Sequence, residues 1–556
     1  MIEATGAEIV IKLLEIHGIT TVAGIPGASI LPIYHELHQS SINHVLVRHE
    51  QAAGFIAEGI ARSSEKVGVC LATSGPGVMN LLTSLADAKA DSIPLVAITG
   101  QVASQFVGTD AFQEADTFGL SVPITKHSIL IKSPKELLEA IPKAFAIASS
   151  GRPGTVLIDI PVDIQKQKIT FEEWPSPISM EHRYSRFRTI GKELAENLKI
   201  FYETLLSAKN PVIFVGGGCN SEKSASALKE FLSLMPVSCV SSLMGLGAVP
   251  WNYKGFAGMT GIFGHSFANQ TVKNADVILA LGVRFDERSF GFGENLNPNV
   301  KILHVDIDAA EINKLQNSYC GIVADTESVL SALNQYIKEK KPQIDINLES
   351  PVNLYKLENN LKSNEETPEN LIQSFYQIAK SAALTDEKII ITTDVGQHQM
   401  WVARGFPFSR PRQLLSSGSL GTMGFGLPSA IGAALANPDK KVICFTGDSS
   451  ILMNIQELAT LAELNLNITI IVLDNKALGM VYKMQDNFYK KCHSQSVYKK
   501  PTDIAKVAEA FGIESRHFDY KKILNLAQNQ ESSEIGDFIF GQQKPVLIQC
   551  EIPKSW

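Results

Sequence analysis

The chain has 556 residues, 45% of them apolar and 19% charged, enough for about three or four domains with large cores. Its net charge of −7 comes without any basic run, which argues against nucleic acid as a partner. The seven cysteines form no CxxC pair, the N-terminus lacks a basic-then-apolar leader, and no apolar run approaches the roughly 20 residues needed to span a bilayer; a reduced, soluble, cytoplasmic chain with no membrane contact is expected.

MIEATGAEIVIKLLEIHGI opens the chain and reads as one amphipathic helix. The short apolar runs TTVAGI, HVLVRHE, VGVCLAT, PLVAITG and TVLIDIP then alternate with helical segments, the pattern of a parallel α/β sheet. This predicts a first domain over 1–165. A charged, proline-bearing stretch without periodicity follows, read as a surface linker over 166–189. PVIFVGGG, ADVILALGV and KILHVDID repeat the alternation in a second domain, 190–340. A polar linker, 341–369, leads to a third domain, 370–556, with KIIITTDVG, KVICFTGD, ITIIVLDN and PVLIQCEI as its strands. The expected fold class is α/β, with three doubly wound parallel-sheet domains and the outer two alike in size and pattern.

Glu50 ends the run HVLVRHE just before a helical segment, where ligands bind in α/β sheets; a helix-start glutamate favoured by the helix dipole reads the same way locally. TSGPGVMN sets Gly75 and Gly77 around Pro76 in a tight turn before a helix, and GTDAFQE puts Phe112 and Gln113 on a loop. FVGGGC is an incomplete dinucleotide fingerprint. Asp306 follows an apolar strand, where a carboxylate can bond a ribose hydroxyl. Asp448 and Asn475 end two apolar runs separated by a helical segment, so they fall at the C-terminal ends of neighbouring parallel strands. A carboxylate, an amide oxygen and a nearby carbonyl are hard ligands suited to Mg²⁺ that keeps positions open for phosphate, although a plain strand-to-helix turn has the same look.

The spacing from Asp448 to Asn475 resembles the diphosphate-and-metal motif of thiamine diphosphate enzymes, with Ser449 at that motif's second glycine. The segments GIPGASILPIYHEL, HVLVRHEQAAGFIAEGIAR, TSGPGVMN, DSIPLVAITGQV, GTDAFQE and SGRPGTVLIDIPVDIQ together resemble the N-terminal domain of the acetohydroxyacid (acetolactate) synthase large subunit. The resemblance continues through GVRFDER, HVDID, DVGQHQMW, GSLGTMGFGLPSAIGAALANP and MNIQELATLAELNL. It implies pyrimidine-binding, central FAD-binding and diphosphate-binding domains, with thiamine diphosphate, Mg²⁺ and FAD as cofactors and the flavin largely structural. Glu50 would bond the aminopyrimidine ring and promote removal of the thiazolium C2 proton. Pro26, Asn80 and Gln113 would line the same pocket. Gln397, His398 and Ser449 would meet the diphosphate end, and Met423 would be the apolar wedge that bends the cofactor. Mg²⁺ would be held by Asp448, Asn475 and the carbonyl of Ala477. Arg152, Gly217, Arg284, Asp306 and Asp325 would contact FAD. Arg288 would clamp the carboxylate of a keto-acid acceptor, with Met480 lining that pocket. Sites built between subunits imply a homodimer or homotetramer, and a small regulatory subunit is a possible further partner.

Where the family has a lysine, a histidine and a tryptophan, this chain has Val162, Thr260 and Met484, and it stops at EIPKSW. Methionine in place of an indole softens a pocket, and loss of a cation weakens anchoring of a small anion. The expected reaction is decarboxylation of pyruvate and transfer of its two-carbon unit to a 2-keto acid. The alternatives are a different ketone acceptor such as a nucleotide-linked keto-sugar, a pyruvate oxidase-type flavoenzyme, and a non-catalytic scaffold on the same fold; the retained Arg288 speaks against the first, and the intact Glu50, Asp448 and Asn475 against the last.

Overall fold

The computed structural model describes residues 1–178, 192–290, 296–342, 366–529 and 534–556. The core is built on three six-stranded sheets. In the first, parallel strands lie in the order Asn43–Leu46, Thr21–Gly24, Gly68–Ala72, Leu95–Gln101, Thr155–Pro161, His127–Leu130. In the third the order is Leu414–Leu415, Ile389–Thr393, Lys441–Gly447, Ile468–Asp474, Val546–Glu551, Glu514–Asp519, again all parallel. Numbered within its own sheet, each reads 2-1-3-4-6-5. The central sheet runs Phe256–Met259, Ser238–Ser241, Pro211–Val215, Val277–Leu281, Lys301–Asp306, Cys320–Val323, or 3-2-1-4-5-6, the doubly wound order of dinucleotide-binding sheets.

The innermost strands are buried along their whole length, as in Leu95–Gln101 and Ile468–Asp474, because helices cover both faces and leave no alternating solvent side. The outer domains share one apolar cluster that joins Ala53, Ile56 and Leu81 to Leu427, Ile431 and Leu458. Within it the helices Glu50–Ser64 and Gly426–Ala436 touch backbone to backbone. A Cβ on Gly59 would lie 2.2 Å from the Ser429 carbonyl oxygen, and one on Gly432 2.0 Å from that of Ile56, so only glycine permits this approach.

Two expectations change. The N-terminal segment is not one helix: Ile2–Thr5 is a strand paired antiparallel with Lys168–Phe171, which lies in the stretch read as a linker. The helix starts only at Gly6, because Thr5 and Glu8 form a reciprocal capping box with Glu8 N to Thr5 Oγ1 at 3.1 Å. Residues 179–189 of that linker and 343–365 of the second lie outside the described residues. No helix among the described residues is long and apolar enough to cross a membrane.

Candidate active site

In the third sheet the strand order reverses between Ile389–Thr393 and Lys441–Gly447, the point where open sheets form a ligand crevice. The loops leaving these strands carry Gln397 and His398 on one side and Asp448 and Ser449 on the other; with Met423, Asn475, Ala477 and Met480 they line a single cavity. Glycine stands where its lining side chains close on the backbone. A Cβ on Gly479 would lie 2.2 Å from Gln397 Oε1 and 2.5 Å from Asn475 Nδ2, and one on Gly447 3.1 Å from His398 Nδ1.

The polar atoms of this cavity are incompletely satisfied. His398 is buried and its Nε2 has no partner, and Gln397 Oε1 is likewise buried and unpartnered, although the Gln397 amide nitrogen donates to the Trp556 carbonyl at 2.7 Å. Burial drives the His398 ring down to about 4, so it is neutral at physiological pH. Asp448 is pushed up to about 7 by burial and by the neighbouring Asp474, partly offset by amides including those of Ser449 and Ala477. Asn475 Oδ1 accepts from the Ala477 amide at 3.1 Å. The Ser449 hydroxyl donates to the Ala477 carbonyl at 3.1 Å; that oxygen has a second lone pair. Three hard oxygen donors and two unpartnered polar atoms around a buried carboxyl fit a divalent cation carrying a diphosphate.

The first sheet makes the corresponding reversal between Thr21–Gly24 and Gly68–Ala72. A Cβ on Gly27 would lie 2.6 Å from the Thr73 side chain, which packs the two loops together beside the exposed Pro26. Gly75 has φ +61°, and a Cβ there would lie 2.6 Å from the Gln113 carbonyl, so the Phe112–Gln113 loop rests on the glycine turn. Glu50 opens its helix half-buried, and the Asn80 side chain donates to its Oε2 at 2.9 Å. Pro26, Glu50, Asn80 and Gln113 thus share one sheet edge. They do not line the C-terminal crevice of their own chain.

In the central domain Gly217 follows the first strand at the switch point, where Gly216 and Gly218 pack against Gly282 with no room for a Cβ. Asp306 is buried at the end of its strand, pushed up to about 6 mainly by burial, and accepts the Asp308 amide at 2.9 Å. Asp325 caps the helix Thr326–Lys340 by accepting from the Ser328 amide. Arg152 bridges domains, donating to Glu311 at 2.8 Å and Ser92 at 2.9 Å. Arg284 also bridges domains, donating to the Ala90 carbonyl at 2.9 Å and to Ser419 Oγ at 2.6 Å. Arg288 is exposed, with its guanidinium 5.5 Å from the Phe263 ring centre and no carboxylate partner among the described residues. The buried Thr260 hydroxyl donates to the Ser289 carbonyl at 2.8 Å, fixing the turn that carries Arg288. Met484 stands half-exposed one turn beyond Met480 on the helix Gly479–Phe488.

Sequence reasoning passed over Asp394. This buried carboxyl accepts the Gly424 amide at 2.8 Å and the Gly426 amide at 3.3 Å, and so holds the loop beside Met423. It ends the apolar run KIIITTD as Asp448 ends KVICFTGD, so the same signal marks both.

A catalytic α/β edge of this kind, repeated on two sheets around a dinucleotide-type sheet, is the architecture of thiamine pyrophosphate (thiamine diphosphate) enzymes. Family models for their N-terminal TPP binding domain, central domain and C-terminal TPP binding domain match residues 4–120, 198–333 and 394–550. The chain is 44% identical over 520 residues to the acetolactate synthase isozyme 1 large subunit of Escherichia coli K12, covering 92% of this chain and 89% of the relative. It is 39% identical over 534 residues to the isozyme 2 large subunit of the same organism (96% and 94%), and 38% identical over 564 residues to the acetolactate synthase large subunit of Cyanidium caldarium (99% and 94%). The chain belongs to the acetolactate synthase large-subunit family.

Proposed function

We propose that this protein is a carboligase that decarboxylates pyruvate and transfers the two-carbon unit to a second 2-keto acid. The observation that carries the reading is the crevice at the third sheet, where Asp448, Asn475 and Ala477 present hard oxygens beside the unpartnered His398 Nε2 and Gln397 Oε1. When bound, thiamine diphosphate supplies the carbon nucleophile and the electron sink for the decarboxylation. Asp448, Asn475 and the Ala477 carbonyl hold Mg²⁺, while Gln397, His398 and Ser449 take the diphosphate. Glu50, oriented by Asn80, is the carboxyl that exchanges a proton with the pyrimidine ring. Pro26 and Gln113 would shape that end of the pocket, and Met423 would be the apolar wedge against the cofactor. Arg288, over the Phe263 ring and without a carboxylate partner among the described residues, would offer a bidentate donor to an acceptor carboxylate, with Met480 assigned to the same acceptor pocket. FAD would be held at the C-terminal strand ends of the central domain by Gly217, Arg284, Asp306 and Asp325, together with Arg152 of the first domain.

Two copies complete the site. Helix Gly479–Phe488 buries no residue and exposes Val481, Met484 and Phe488, the last by 74%. Leu46, Met79 and Phe112 are exposed in the first domain, the last by 88%. Apolar surfaces at both catalytic edges suit a homodimer, which can pair again into a tetramer, and the relatives' designation as large subunits suggests a small-subunit partner. Seven unpaired cysteines suit a reducing cytoplasm.

Purified protein with pyruvate, thiamine diphosphate, Mg²⁺ and FAD should release CO₂ and form acetolactate, without reducing the flavin. Val162 and the half-exposed Met484 favour one second reading, a bulkier ketone acceptor such as a keto-sugar nucleotide. CO₂ release with no acetolactate, followed by ligation to a member of a ketone panel, would select it, and pyruvate-driven flavin bleaching would select oxidase chemistry.

A further inference from the structure

Met423 is reached by a segment, Ser416–Thr422, whose start is held by Thr393 and Gln399 of its own domain at Ser416 and Ser417, with Arg284 of the central domain on Ser419, and whose fastenings from Ser417 to Thr422 include two carboxylates of the N-terminal domain. Asp87, in the helix Pro76–Ala90, accepts the hydroxyl of Ser417 and, at 2.6 Å, that of Thr422. Ser417 Oγ in turn accepts the Thr422 amide at 2.9 Å. Asp91 accepts the amides of Gly418 and Ser419, each at 2.8 Å. Arg62 stands behind both carboxylates, 2.9 Å from Asp91 and 3.3 Å from Asp87, and its other nitrogens reach Glu58 and the Ser416 carbonyl. These four ionisable side chains are 0–4% exposed. Burial and the adjacent Asp87 push the Glu58 carboxyl well above its usual range.

On the other side of the wedge, Gly424 donates its amide to Asp394 at 2.8 Å. The residue before Met423 is therefore tied to a carboxylate of the first domain and the residue after it to a carboxylate of the third. A buried cluster of this kind adds little net stability over an apolar core, because desolvation offsets the pairing; its effect is to specify one geometry. Around Met423 the geometry it specifies is that of the crevice.

We infer that Asp87 and Asp91 are positioning residues that hold the Ser416–Thr422 segment, and through it Met423, so that the N-terminal domain of a chain shapes the cofactor seat in that chain's own C-terminal domain. The inference rests on the proposed function for Met423's role, while the clamp itself is legible without any cofactor. Thr422→Val removes the hydroxyl from Asp87 with little change of shape, and Thr422→Ser restores it.

Amide exchange followed by mass spectrometry on cofactor-free protein should be about 10-fold or more faster across 417–424 in Thr422→Val, as expected for losing a hydrogen bond to a charged group. Exchange through local opening elsewhere should be unchanged, and the melting temperature should fall by no more than about 2–4 °C per kcal/mol lost. In the Mg²⁺-bound protein the same variant should bind thiamine diphosphate about 10-fold more weakly, with altered near-ultraviolet circular dichroism of the bound cofactor, and Thr422→Ser should return all three readouts to the parent values. Unchanged exchange in Thr422→Val, or failure of Thr422→Ser to restore it, overturns the clamp and leaves the proposed function standing. Faster exchange with unaltered thiamine diphosphate affinity overturns the link from the clamp to the cofactor seat. A parent protein that binds no thiamine diphosphate overturns the proposed function and Met423's place in it.

Discussion

At the switch point of the first sheet, Glu50 stands half-exposed with one amide donor, Asn80; at the equivalent point of the third, Asp448 and His398 are buried among atoms without partners. The strand order behind both edges is the same. The scaffold therefore supplies only the place, a gap between diverging loops, and the side chains decide whether that place offers a proton-exchanging carboxyl or a closed seat for a charged ligand. An open carboxylate retains water and exchanges protons readily, whereas a buried, under-satisfied cluster lowers its free energy by taking up a cation and its anion.

That division is open to direct attack. The largest effect is expected from Glu50→Gln, which should lower carboligation by about 10²–10⁴-fold while thiamine diphosphate titration and thermal melting stay near the parent values. Asp448→Asn should do the reverse. Mg²⁺-dependent cofactor binding should weaken by about 100-fold, since loss of a ligand should cost at least as much as loss of the groups that merely orient one, and excess cofactor should recover part of the turnover. If both variants lose binding equally, the two edges do not divide the work in this way.

The smallest effect concerns the N-terminal ends of the third strand in each of these sheets. Gly68 opens the third strand of the first sheet, but Lys441 opens its counterpart. The Lys441 ammonium is buried against Asn467 Oδ1 at 2.8 Å and the Gln542 carbonyl at 3.0 Å, and burial brings it down to about 7. Between that value and the ordinary lysine value of about 10.4 the unfolded chain holds more protons than the folded one, so the cost of this group is full below about pH 7 and fades as pH rises. Lys441→Met should therefore stabilise the protein most at pH 7 and little near pH 10 in denaturant titrations, with turnover unchanged.

The strands read from the sequence are chiefly those inside the sheets, where cover on both faces leaves continuous apolar runs such as PLVAI and TIIVL. Those passed over are mostly edges: His127–Leu130, Phe256–Met259, Cys320–Val323, Leu414–Leu415 and Glu514–Asp519. With one neighbour and one side nearer solvent, an edge strand tolerates a sequence like ESRHFD, which carries no apolar run. Ser238–Ser241 lies inside its sheet but is only four residues long and half serine. The antiparallel pair Ile2–Thr5 and Lys168–Phe171 joins segments more than 160 residues apart, and local periodicity holds no trace of such a pairing.

The sequence by itself determined the class of the fold and the positions of Glu50, Asp448 and Asn475, because strand ends are marked by where apolar runs stop, and ligands collect at strand ends. It left Arg62, Asp87 and Asp91 looking like ordinary charges on amphipathic helices. Only the tertiary structure decided that they are buried. The close approach of the helices carrying Gly59 and Gly432 brings the two outer domains together, and the third domain's segment 416–422 closes over those carboxylates. A charge's cost and purpose depend on what surrounds it, and those surroundings come from parts of the chain more than 300 residues apart.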